Sequence, residues 1–221
     1  MTKPTVDVRP VRVTNRRPSE DPIHRATVSQ WVWAIREGVP PVRVARAIAQ
    51  YAHKDQKRRY TDTPYWWHPA AVAGMVDALD WSAEAREAAV SAAWLHDVVE
   101  DTWVTLADLI HVFHRDGTEG PIVQAVRLLT DPHTPEHGNR EWRKRQYQQQ
   151  VARLGGPVVH AVKALDLVDN LRSIALYDTR FARVFVEEAE GYVLDHAPWE
   201  AQNLLRKELE AAKEALGLEV A

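Results

Sequence analysis

An all-α bundle of about ten helices is the fold this sequence predicts. Apolar residues recur at three- and four-residue spacing, and no segment shows the strict alternation of a half-buried strand. Short breaks rich in Pro and Gly separate these segments, several beside a residue suited to cap a helix. The chain has 221 residues, 45% of them hydrophobic, which is enough for one sizeable core.

Residues 1 to 26 carry Pro4, Pro10, Pro18 and Pro22 with little apolar periodicity, and are expected to form an extended or disordered arm. Thr27 or Ser29 offers a cap for a helix through Glu37, ended by Gly38 and the Pro40-Pro41 pair. A second helix follows from Val42 to His53. The pair superficially resembles a helix-turn-helix, but Arg43 and Arg46 are too few for DNA reading. A polar, basic loop, Lys54 to Thr63, leads through Pro64, Tyr65, Trp66 and Trp67 to His68. His68-Pro69 opens a helix to Leu79, with Pro69 in its tolerated first position. Ser82, with Glu84 and Glu87 behind it, starts the helix that runs into AAWLHDVVEDT, Ala92 to Thr102.

Thr105 caps TLADLIHVF, EGPIVQAVRLLT is helical, and DPHTPEHGN is a loop in which His133 and His137 are solvent residues. Arg140 to Arg153 forms a polar helix with Arg143 to Arg145 on an exposed face. After the Gly155-Gly156-Pro157 break, Val158 to Tyr177 suits a buried helix, and Arg180 to His196 and Trp199 to Leu216 complete the chain. The nine tryptophans read mostly as core or groove packing. The expected organisation is an arm over 1–26, one domain over 27–199 and a helical extension over 200–221.

Composition narrows the chemistry. With no cysteine, any metal site must use His, Asp and Glu, and a cysteine nucleophile is excluded. A net charge of −3 gives no global reason to bind nucleic acid. No stretch approaches a membrane span, and the N-terminus lacks a signal-type apolar core, so a soluble cytoplasmic protein without a membrane partner is expected. Oligomeric state stays open, a homo-oligomer included.

The chemistry concentrates in LHDVVEDT. On a helix, Glu100 falls one turn beyond His96 and Asp101 one turn beyond Asp97. Taken with His68 upstream and Asp166 downstream, His96 and Asp97 complete a set of two imidazoles and two carboxylates. That set suits a divalent ion with open positions better than a closed structural zinc site. Asn170, four residues past Asp166, shares its face, and Asp169 stays close to it. Lys57, Arg58 and Arg59 form a basic cluster that suits phosphate oxygens. Buried His and Asp can also merely satisfy one another, but the number and spacing of these groups argue against that reading.

The wording around these residues points to a family. Ala52-His53 with Gln56, the Arg58-Arg59 pair, PYWWHP at Pro64 to Pro69, LHDVVEDT at Leu95 to Thr102 and KALDLVDNLRS at Lys163 to Ser173 occur in order. In these, the chain resembles the HD-domain phosphohydrolases, specifically the hydrolase domain of RelA/SpoT enzymes and the stand-alone SpoT-like alarmone hydrolases. The resemblance runs from Tyr51 to Trp199. It implies an HD-domain helical bundle in which His68, His96, Asp97 and Asp166 hold one divalent ion, Mn²⁺ foremost, with Fe²⁺, Co²⁺, Ni²⁺ or Zn²⁺ as alternatives. It further implies that Glu100 and Asp101 are catalytic, and that Arg58, Arg59, Asn170 and Ser173 bind a nucleotide substrate.

The implied reaction is removal of the 3′-pyrophosphate of ppGpp or pppGpp, as in alarmone degradation in the stringent response, with no synthetase activity. Alternatives are an HD phosphohydrolase acting on a nucleoside monophosphate, a dNTP or NADPH, and a non-catalytic nucleotide-binding HD protein. Two positions depart from the family pattern. The loop Tyr60 to Thr63 lacks the usual Gly, and Asp169 stands where bifunctional enzymes often carry His, so that an acid there is expected to repel a substrate phosphate or select another nucleotide.

Overall fold

The computed structural model describes residues 21–113 and 119–219. Among them are eleven α-helices: α1 (Pro22–Arg36), α2 (Pro41–Ala52), α3 (Trp67–Asp77), α4 (Ala83–Leu95), α5 (Val98–Asp101), α6 (Leu106–Phe113), α7 (Pro121–Leu129), α8 (Arg140–Leu154), α9 (Pro157–Tyr177), α10 (Thr179–Glu190) and α11 (Trp199–Leu216). A 3₁₀ turn, Pro135–His137, precedes α8. The described residues contain no strand, only an isolated bridge between Lys57 and Pro64. The expected all-α fold is what the chain adopts.

Helix starts follow local chemistry. The Ser82 hydroxyl accepts the Ala85 amide, and Thr105 and Asp108 cap one another's backbone amides. Pro121 and Pro157 each open a helix where no amide hydrogen is needed. α1 begins earlier than expected, and this corrects the arm boundary. The Asp21 carboxylate accepts the Ile23 amide at 2.7 Å with Pro22 in the first turn, while Thr27 and Ser29 lie inside the helix and donate their hydroxyls to carbonyls one turn back. The rest of the proposed arm, residues 1–20, lies outside the described residues. α10 stops at Glu190 before Gly191 rather than running to His196.

The fold centres on α4 and α9. All residues from Ala88 to Leu95 are buried, and their mostly small side chains let α2, α3 and α7 pack around α4. α9 lies against α3, α4, α10 and α11. Ala201, Leu205, Ala212 and Leu216 of α11 join the same core, so residues beyond 199 pack within it. At the entry to α9 the chain passes close to itself: a Cβ on Gly155 would lie 2.5 Å from the Val151 carbonyl and 2.6 Å from the His160 ring. Of the tryptophans, Trp31 and Trp94 are buried and Trp81 and Trp103 pack against the core, while Trp33, Trp67, Trp142 and Trp199 are exposed.

Candidate metal centre and active site

Three packed segments bring the acidic and imidazole groups together. His68 sits in the first turn of α3, Asp166 lies midway along α9, and His96-Asp97 forms the junction between α4 and α5. The junction is a correction: LHDVVEDT is not one continuous helix but a break after Leu95 followed by the four-residue α5. The break leaves His96 buried while Glu100 and Asp101 come out at the surface.

His68 Nε2 and His96 Nε2 are 3.1 Å apart. Asp166 Oδ1 lies 3.1 Å from the first and 3.5 Å from the second, and Asp97 Oδ2 lies 3.4 Å and 3.1 Å away, respectively. One donor atom each from His68, His96 and Asp166 falls within 4.8 Å of the others, a spacing that a single ion can span. The outer nitrogens fix the tautomers. His96 Nδ1 faces the Ala93 carbonyl at 2.8 Å and His68 Nδ1 faces Asp169 Oδ2 at 2.6 Å, so both Nδ1 atoms donate and both Nε2 lone pairs point inward.

Two inward lone pairs at this distance repel unless a cation lies between them. The titration directions express the same demand. Burial opposes charge on both rings, yet the Asp166 and Asp169 hydrogen bonds raise the pKa of His68, and the Asp97 charge and the Asp166 hydrogen bond raise that of His96. Asp97 and Asp166 are held low despite burial, the first chiefly by His96 and the second by Lys163 and the histidines. A divalent ion satisfies this set of nitrogen and oxygen donors, and its binding displaces the imidazole protons.

Several supporting groups were given no individual role by sequence reasoning. Lys163 is enclosed against the Tyr147 and Tyr192 ring faces and donates to Asp166 Oδ2 at 2.9 Å, leaving Oδ1 toward the histidines. Its position three residues before Asp166 on one helix was the available signal. The Tyr65 hydroxyl lies 2.7 Å from Asp97 Oδ2 and 3.2 Å from Asp101 Oδ2. Burial and those carboxylates push its pKa far up, so it remains a donor. The His53 ring packs on Tyr65, and His53 Nδ1 pairs with Gln56, whose amide donates to the Asp101 carbonyl. The Ala52-His53 and Gln56 motif thus braces Tyr65 and Asp101.

The two carboxylates of α5 differ. Glu100 retains solvent access, but the protein around it and the Asp97 charge raise its pKa to about 7, against the Asp131 amide that donates to Oε1. Asp101 is also raised, by burial first and then by Asp97. Asp131 is itself held by the Lys144 ammonium and by the backbone and ring of His133. His133 is therefore not a solvent residue, because its side chain is 5% exposed and serves this bracket. His137 is exposed and closes the 3₁₀ turn by accepting the Thr134 amide. The expected exposed basic face of α8 holds for Arg145 but not for Lys144, and the Arg143 Nε is buried.

Beside the cluster is a cavity of about 170 Å³ whose lining includes all four residues expected to bind substrate, Arg58, Arg59, Asn170 and Ser173, together with Tyr60 and Tyr65. Asn170 donates to Asp166 Oδ1 at 2.7 Å and so touches both cavity and cluster. Arg59 lies over the Tyr60 ring, and Lys57 pairs with Asp62 at the solvent-exposed end of the loop. Asp169 does not present a free negative charge to the cavity, since Arg58 and His68 both donate to it.

A bundle with two converging imidazoles, converging carboxylates and an adjoining cationic cavity belongs to the class of helical metal-site domains. Residues 45–189 match the family described as HD domain, and the chain belongs to that family. Among curated proteins it is 28% identical over 200 residues to a probable guanosine-3′,5′-bis(diphosphate) 3′-pyrophosphohydrolase of Synechocystis sp., covering 83% of this chain and 25% of that protein. It is 26% identical over 140 residues to a protein of the same description from Mycoplasma pneumoniae, covering 62% of this chain and 18% of that one. The chain thus spans a quarter or less of the length of these relatives. Among solved structures, a metazoan ortholog of SpoT described as hydrolysing ppGpp is 25% identical with a TM-score of 0.62, covering 81% of this chain and 97% of that one. No helix among the described residues is long and apolar enough to cross a membrane.

Proposed function

We propose that this protein is a metal-dependent nucleotide phosphohydrolase that removes pyrophosphate from the 3′ position of ppGpp or pppGpp. The observation that carries the reading is the pair of imidazole Nε2 atoms converging with Asp166 and Asp97 beside a cavity lined by Arg58 and Arg59. In this reading His68, His96, Asp97 and Asp166 hold one divalent ion, with Mn²⁺ the proposed metal. When bound, such an ion polarises a phosphoryl oxygen and acidifies water.

The chain's own groups do the rest. Arg58 and Arg59 receive the phosphates, and Ser173 and Asn170 orient the nucleotide between cavity and cluster. Glu100, with a pKa near neutrality, exchanges a proton with the attacking water, and Asp101 serves the leaving group. Lys163 balances Asp166, and Tyr65 keeps Asp97 and Asp101 in register. The names of the curated relatives and of the solved SpoT ortholog support the choice of ppGpp. The cytoplasm is the compartment this reading implies.

The test is product identity. The protein and a His96→Ala control are incubated with Mn²⁺ and, separately, ppGpp, NADPH, dNTPs and nucleoside monophosphates. Pyrophosphate and GDP from ppGpp, absent in the control, are expected. Turnover of another member of the panel without release of pyrophosphate from ppGpp replaces the substrate but keeps the chemistry.

A further inference from the structure

One oxygen atom joins the two halves of the site. Asp169 Oδ2 lies 2.6 Å from His68 Nδ1 and 2.8 Å from Arg58 Nη2, and the same Arg58 nitrogen reaches Ser173 Oγ at 3.0 Å. His68 turns its opposite nitrogen, Nε2, into the cluster, whereas Arg58 and Ser173 line the cavity. Asp169 is itself outside the group of donors that converge on one point. Its side chain is 18% exposed and that of Arg58 17%, so the pair is largely shielded from water.

We propose that Asp169 is a positioning residue serving both halves: it fixes His68 with the proton on Nδ1 and Nε2 turned toward the ion, and it anchors Arg58 at the cavity wall. The proposal rests on the metal reading above. A carboxylate behind a ligating imidazole fixes its tautomer and strengthens it as a ligand. The guanidinium, held by the carboxylate and a hydroxyl, presents its remaining N–H donors from a fixed plane. Because both contacts use one carboxylate oxygen, loss of its charge disturbs metal affinity and substrate affinity together. A residue acting on only one half does not produce that pairing.

The experiment measures Mn²⁺ affinity by equilibrium dialysis without nucleotide, and kcat and KM on ppGpp, for wild type, Asp169→Asn, Asp169→Glu and Ser173→Ala. Asp169→Asn is expected to weaken Mn²⁺ binding about 10- to 100-fold and to raise KM as well. Asp169→Glu, which restores a carboxylate, is expected to recover part of both. Ser173→Ala, which removes one partner of Arg58 and none of His68, is expected to raise KM with Mn²⁺ affinity within about twofold of wild type. Wild-type affinity in a folded Asp169→Asn protein overturns the proposal while leaving the metal reading intact, whereas no Mn²⁺ binding by the wild type overturns both.

Should the Asn variant fail to fold, ¹⁵N NMR of the wild-type imidazoles with diamagnetic Zn²⁺ decides. A His68 Nδ1 proton shifted further downfield than that of His96, whose Nδ1 donates to a neutral carbonyl, supports donation to the Asp169 carboxylate, and a shift no further downfield refutes it.

Discussion

The metal-facing cluster and the adjoining cavity share α9, yet they are held in different ways. In the cluster each donor group has a protein partner that holds it: His96 a backbone carbonyl, His68 Asp169, Asp166 Lys163 and Asn170, and Asp97 Tyr65. In the cavity the cations line the wall on fewer contacts, with Arg58 anchored by Asp169 and Ser173 and Arg59 over the Tyr60 ring. The first region is arranged for a small ion before anything binds. The second presents guanidinium groups to a larger, more open space. Changes in the cluster should therefore act on ion binding and rate, and changes in the cavity on substrate affinity.

The largest expected effect comes from breaking the cluster. His96→Ala removes one of the two converging nitrogens, so ion binding should be lost in dialysis and turnover should fall by about 10³-fold or more. Glu100→Gln should keep the ion while lowering kcat by roughly 10² to 10⁴, measured at saturating nucleotide.

The same variant carries a stability signature. In ion-free protein the native pKa of Glu100 is about 7, above its unfolded value of 4.5, so the native state binds more protons between those values and wild-type stability declines as pH rises through that window. Gln escapes this loss. Glu100→Gln should therefore match wild type near pH 4.5 and exceed it by about 1 kcal/mol at pH 8, solvent access at Glu100 reducing the gap, as read by denaturant titration.

Arg59→Ala sharpens the comparison from the cavity side. KM should rise about 10-fold with kcat and Mn²⁺ affinity little changed, since one charge-assisted contact is lost. The smallest effect on activity is expected at Gly155, which belongs to neither the cluster nor the cavity lining. A methyl group there collides with the Val151 carbonyl and the His160 ring, so Gly155→Ala should cost about 1–3 kcal/mol, lowering Tm while activity per folded molecule stays unchanged.

The proposed ligands were legible because they stand in contiguous motifs whose order survives in the sequence, and caps such as Ser82 and Thr105 read directly. The bracing was not. Which oxygen lies behind His68, or that the Tyr65 hydroxyl spans Asp97 and Asp101, depends on tertiary packing between segments distant in sequence. Asp169 illustrates the point: an acid near a phosphate site reads as repulsive until Arg58 and His68 are found on it.

The break after Leu95 was hidden because the apolar spacing continues through LHDVVED, and tertiary contacts at His96 and Asp97 override it. The available signal for the start of α1 was Asp21-Pro22, a capping residue followed by a first-turn proline, which stands among prolines that read as an arm. His133 misled for the converse reason, since a histidine in a Pro- and Gly-rich loop reads as solvated although Asp131 draws it inward.

The central claim is that one divalent ion occupies the space between the two imidazoles. Crystals grown with Mn²⁺ and measured near the manganese absorption edge test it most directly. A single anomalous peak within coordination distance of His68 Nε2, His96 Nε2 and carboxylate oxygens of Asp97 and Asp166 is the predicted result. A peak elsewhere, or none at that point in crystals soaked at saturating Mn²⁺, contradicts the account.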